Sequence, residues 1–196
     1  MAAKVLTKAD ILQLDDYIAQ RNELRSAIVA LKKPRRIDVG PHATFYFENV
    51  ATMKQQIQEM LYIEKGGDEQ LEDELEAYNP MIPQGQELTA TLMFEIDNPE
   101  VRLKTLLSLT DVELTAYIEV EGVKTYARPE QEVERTSADG KTSSVHFLHF
   151  DFEPAQIAAF NGDDTKVILG IEHDNYAHMT ALNGDTRASL AGDFDA

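Results

Sequence analysis

The sequence contains no cysteine. That single absence removes disulfides, thiolate nucleophiles, zinc ribbons and cysteine-held iron–sulfur clusters together. Any metal would have to be held by His, Asp and Glu, which points to iron, manganese or zinc rather than copper(I). No run of eighteen apolar residues occurs and no charged-then-apolar leader is present, so neither a membrane span nor secretion is expected. A cytoplasmic location is the expectation. Catalytic signatures are missing too. There is no GxSxG, Walker A, GxGxxG or HExxH, and no Glu-x-x-His pair of the di-iron bundle kind.

Basic residues are also scarce, with 18 Lys and Arg against 35 Asp and Glu, a net charge of −17. The imbalance is uneven. Residues 1–36 carry eight basic and four acidic side chains, whereas 37–196 carry ten and thirty-one. Such a body repels nucleic acid and anionic membrane, and any partner steered by charge would be cationic. Solubility alone is the plainer reading of the same excess.

What is present is organised around Arg36 to Lys65. Arg36–Val39 can be extended, Gly40-Pro41 is a turn pair, and Ala43–Glu48 is a β-rich return strand. Phe45 and Phe47 share one face of that strand, while Thr44, Tyr46 and Glu48 share the other. Asn49 offers an N-cap to a helix starting near Val50. Val50, Met53, Ile57, Met60 and Leu61 form its apolar face, with Glu64 marking where that face meets water. A second stripe of Thr52, Gln55, Glu59 and Tyr62 reads as solvated, or alternatively as a cleft face with Glu59 as acid, base or ligand.

On either side the pattern is legible. Thr7 and Asp10 resemble a capping box. A helix is predicted over Leu14–Lys33, with Tyr17, Ile18, Leu24, Ile28 and Leu31 buried and a break near Gln20–Asn22. In the basic run that ends it, the cations suit the helix dipole better than a nucleic-acid patch. Gly66-Gly67 precedes an acidic helix capped by Asp68 and running to Tyr78, its charged side read as solvated. Strict alternation predicts strands over Glu87–Ile96 and Val112–Glu121, with a helix from Asn98 to Leu109 between them. Further strands are expected over Val123–Arg128, Ser143–Phe152 and Lys166–Ile171, and helices over Pro154–Phe160 and Asn183–Phe194. Pro129–Lys141 reads as a polar surface loop. The expectation is an α+β fold in one domain, 1–196. Its helical part, 1–80, would pack on one face of a mixed, largely antiparallel sheet, 87–172.

Several blocks carry a resemblance: Val39-Gly40-Pro41-His42, Phe47-Glu48-Asn49, Gln56 to Leu61, Glu74-Leu75 with Tyr78-Asn79-Pro80, Glu87-Leu88 leading to Ala90–Met93, and Leu169 to His173. Over nearly its whole length the chain resembles the bacterial domain of unknown function numbered three-five-zero-one. The resemblance implies a bacterial cytoplasmic protein, often encoded near a rubrerythrin and an iron–sulfur reductase-like protein. It implies no reaction and no catalytic residue.

The candidate site residues come from position. His42 leaves the Gly-Pro turn at the rim of the sheet, and Glu172-His173 ends a strand. His146 and His149, three apart on a strand, point to opposite faces and cannot chelate one ion without a bulge. A site of His42, Glu59 and His173, with Glu48 or His149, would suit iron, manganese or zinc. The leading functional expectation is a non-catalytic accessory protein docking in a rubrerythrin-type oxidative-stress or electron-transfer module. A wet sheet face bearing Tyr117 and Met93 would add contact area. The alternative is a small His/carboxylate metal protein.

Overall fold

The computed structural model describes residues 4–130 and 141–195. The loop expected at Pro129–Lys141 therefore lies, over 131–140, outside the described residues. The Thr7–Asp10 capping box forms as expected on a 3-10 turn, Lys8–Asp10. Helix α1 (Leu14–Lys32) runs through Gln20–Asn22 without a break. Strands β1 (Arg36–Val39) and β2 (Ala43–Glu48) make the hairpin around Gly40, whose φ of 71° suits glycine. Asn49 caps α2 (Val50–Glu64) by accepting from the Thr52 N–H at 3.0 Å. Helix α3 (Gly67–Tyr78) starts one residue earlier than Asp68 allows, with Gly66 in the cap position.

Strand β3 (Glu87–Phe94), helix α4 (Pro99–Leu107) and strand β4 (Ala116–Val120) follow. Next come β5 (Val123–Tyr126), β6 (Arg128–Pro129), β7 (Val145–Asp151) and α5 (Pro154–Phe160). The chain ends in β8 (Val167–His173), β9 (Tyr176–Ala181) and α6 (Gly184–Ala191).

The strands form two antiparallel sheets rather than one. The first has order β1-β2-β3-β7-β6, the second β5-β4-β8-β9. Because β3 and β4 fall in different sheets, α4 is a bridge between layers and not a crossover within one. Phe45 faces Leu92 and Phe47 faces Ala90 across the β2–β3 ladder, which puts their shared face inward. That face and the inner face of the second sheet (Ile118, Val120, Val167, Leu169, Ile171) belong to one continuous apolar cluster. Phe152, Phe160 and Phe194 close one side of it edge to face, with ring centroids 5.2–6.3 Å apart.

The N-terminal helices lie on the outer face of the first sheet. Met53 and Ile57 of α2 form a second, smaller cluster with Leu6, Ile11, Met81 and Ile82, and Phe147 of β7 packs against it. A side chain such as Ile57, fully buried, contributes about 1.5–3 kcal/mol there. Helix α1 sits further out. Of its expected core positions Tyr17 alone is buried, and Ile18 is 49 % exposed, because α1 packs chiefly on α2. No helix among the described residues is long and apolar enough to cross a membrane.

One strand expectation fails for a local reason. Asp111 adopts φ 60°, and Val112–Thr115 coils into a 3-10 turn closed by Thr115 Oγ1 donating to the Val112 carbonyl at 2.7 Å. Leu114, placed inward by alternation, is 52 % exposed. A side-chain hydrogen bond has outcompeted the strand there. Tyr117, expected on a wet face, is buried beneath the Lys124 ammonium, 4.1 Å from its ring centre.

Candidate functional site

The five expected ligands do not converge. Among the described residues no three His, Asp or Glu side chains are grouped as an ion would require. Each lies in a different setting.

Glu59 lies in the stripe read as solvated, and that stripe faces α1. Arg21 donates to both Glu59 oxygens, at 2.9 and 2.8 Å, and the Tyr17 hydroxyl donates to the same carboxylate. Gln55 donates to the Tyr17 oxygen at 2.6 Å, and the Arg21 guanidinium covers the Tyr62 ring at 4.2 Å. The guanidinium, with the phenol helping, holds the Glu59 carboxyl below its usual range. Burial and the adjacent anion push the Tyr17 phenol up to about 12. This is a polar lock between two helices.

His149 bridges Glu87 and Glu130, each 3.1 Å from one ring nitrogen. Burial alone would lower its pKa, but the two carboxylates overturn that and hold it above the ordinary value. His173 donates from Nε2 to the Thr110 carbonyl and accepts at Nδ1 from the Asn175 N–H, both at 3.1 Å. Its neighbour Glu172 is paired with Lys124 and Tyr126. His42 stands at the hairpin turn beside Tyr176. The Tyr176 hydroxyl accepts from the His42 and Ala43 N–H groups, both at 2.9 Å, and donates to the Val39 carbonyl at 2.7 Å. The turn is thus stapled by the last strand of the other sheet.

Glu48 differs from the other four. Alternation along β2 puts it on the outer face of the first sheet, under α2, where it is 5 % exposed. Its Oε1 accepts from the Thr91 hydroxyl at 2.9 Å, and Oε2 is buried with no hydrogen-bond partner. It lines a cleft of about 340 Å³ between the helices and the sheet, walled by Met53, Met81, Met93, Tyr78 and Phe147. Lys32 and Tyr46 also reach it. A largely apolar cleft with a few polar groups, here including Glu48, Gln56 and Thr91, is the usual form of a small-molecule site.

Two structural groups escape a reading of sequence alone. Arg35, read with its neighbours as a helix-ending cation, is 2 % exposed. It donates to the Phe47 and Glu48 carbonyls, both at 2.9 Å, and forms an ion pair with Asp193. Tyr176 lies on β9, which carries too little alternation to be recognised.

Comparison with known proteins agrees with this architecture. A crystal structure of a protein of unknown function from Burkholderia pseudomallei K96243 is similar, with a TM-score of 0.90 and 34% identity, covering 98% of this chain and 100% of that one. No curated protein matches the chain. The family profile described as "Protein of unknown function (DUF3501)" matches residues 5–194, and the chain belongs to that family.

Proposed function

We propose that the protein is a non-catalytic accessory protein that docks a basic partner, cytoplasmic and of the rubrerythrin-type oxidative-stress or electron-transfer kind. One observation carries this reading, the outer side of α3. Glu69, Glu72, Asp73 and Glu76 fall on it at three- and four-residue steps and are exposed. Leu71, Leu75 and Tyr78 pack the opposite side against the cluster under α2, so the row is held on a fixed support. Glu72 alone of the four is ion-paired among the described residues, with Lys8 at 2.8 Å. The remaining anions are available to a cationic surface. The choice of partner follows the expectation attached to the family.

The acid–base groups that chemistry would need are engaged in structural pairs: Glu59 with Arg21, Glu172 with Lys124, His149 with Glu87 and Glu130. That favours docking over catalysis. Binding of a purified rubrerythrin-type partner should weaken steeply between about 20 and 300 mM salt. Replacing Glu69, Asp73 and Glu76 together by amides should lower the association rate. Salt-insensitive binding, or binding unchanged in that triple variant, would overturn the reading. Stoichiometric iron, manganese or zinc in tag-free protein, lost in His42→Ala and Glu59→Ala, would favour the metal reading instead.

A further inference from the structure

The cleft over Glu48 lies beneath the helices, away from the acidic row of α3, and goes beyond the docking reading. We propose that it binds a small organic monocation, an amine with an apolar body of about one ring, whose ammonium meets the Glu48 carboxylate.

The carboxylate sets the charge. A buried acid with an unmet oxygen is costly to keep unless something donates to it. The donors that share the cleft, Lys32, Gln56 and Tyr78, make no hydrogen bond to Oε2. Thr91 serves Oε1 only. Arg35, the nearest buried cation in sequence, spends its guanidinium on main-chain oxygens, Ser189 and Asp193. A charge-assisted bond from an ammonium would satisfy Oε2.

The walls set the body. Met53, Met81 and Met93 supply polarisable, adaptable side chains, and Tyr78 and Phe147 supply aromatic surface. These surfaces accept a ring and tolerate a cation beside it. A volume of about 340 Å³ is at the small end for a ligand site. Among the described lining residues Lys32 is the only cation. A second positive charge on the ligand would meet it, so a polyamine fits less well than a monoamine. A carboxylate ligand would meet Glu48.

The methionines allow the site to be read directly, because Met53, Met81 and Met93 line the cleft whereas Met60 and Met179, the other two among the described residues, do not. Full-length protein labelled with ¹³C at the methionine methyls would be titrated with 2-phenylethylamine, with 2-phenylethanol as its neutral counterpart, and with phenylacetate and spermidine. The amine should shift the Met53, Met81 and Met93 signals, with a dissociation constant of about 1 mM or tighter. The alcohol, the anion and spermidine should bind at least about tenfold more weakly. Glu48→Gln, which keeps the size of the side chain and an acceptor for Thr91, should reduce amine affinity by about tenfold or more. Several results would overturn the proposal. One is no methionine shift up to about 10 mM amine, the outcome expected if water alone meets Oε2. Others are equal binding of the alcohol, shifts confined to Met60 or Met179, or undiminished affinity in the Gln variant. Because the alcohol comparison uses the unaltered protein, the test stands even if the variant folds poorly.

Discussion

The paired sheets and the helical cap are held by different means. Inside the sandwich, side chains from both sheets and from α5 and α6 form one cluster, and residues such as Phe45, Leu92, Ile118 and Leu169 are wholly covered. In the cap, α1 buries only Tyr17 and is fastened by the Tyr17–Glu59–Arg21 lock. Apolar burial is cooperative and spread over many neighbours, whereas a partly exposed polar lock is worth roughly 1 kcal/mol. The cap should therefore open locally at a free energy well below that of global unfolding.

The sharpest test of the sandwich is Arg35→Ala. It strands Asp193 in a buried place and leaves the Phe47 and Glu48 carbonyls without their donor. A loss of about 3–5 kcal/mol in chemical denaturation is expected. Next is Gly40→Ala, in which the new Cβ would fall 2.5 Å from the His178 ring and 2.8 Å from the Tyr176 hydroxyl, at φ +71°. About 1–3 kcal/mol should be lost, again globally. Glu59→Ala should remove roughly 1 kcal/mol, seen in hydrogen exchange as faster α1 amides over unchanged β2 and β3 amides. If the sheet amides accelerate equally, the distinction between the two regions disappears.

Smallest, and opposite in sign for the two regions, is the response to pH. The Glu59 carboxyl is held low by Arg21, so its contribution is present above the ordinary carboxylate value and is lost as pH falls through its lower folded value. His149 is held high by Glu87 and Glu130. Its contribution is complete below the ordinary imidazole value and is lost as pH rises through the folded one. Acid should loosen the α1–α2 contact first, and mild alkali the β6–β7 edge. Glu59→Gln should abolish the acid-side change in α1 exchange, and His149→Gln the alkaline-side change at β7.

Much of this was legible in the sequence because it is local. The Gly40-Pro41 reversal, the Asn49 cap and the alternation of Leu88, Ala90 and Leu92 each announce themselves within a few residues. The α+β class and the antiparallel pairing followed from them. The division into two sheets did not, since period two says which face is buried and not which neighbour covers it. The site was legible only in fragments. Glu48 sits at the end of a readable strand, but the setting of its unmet oxygen depends on Thr91, Met81 and Phe147, which lie 33 to 99 residues further along the chain. Glu59 was legible as a cleft-facing acid or a solvated one, and only the position of α1 shows that it pairs with Arg21 and Tyr17. Arg35 was hidden because nothing near it in the chain foretells Asp193.

The Arg35–Asp193 ion pair spans 158 residues. A ribosome adding about 5–20 residues per second needs roughly ten to thirty seconds to cover that span. Throughout that interval the first hairpin exists without the helix that shields its guanidinium, and the turn lacks Tyr176 until shortly before. The early strands therefore cannot reach their final arrangement before residue 193 has been made. Maturation is a late event that begins at the front of the chain and is completed from the back, which leaves the nascent β-hairpin dependent on whatever protects unpaired edges in the cell.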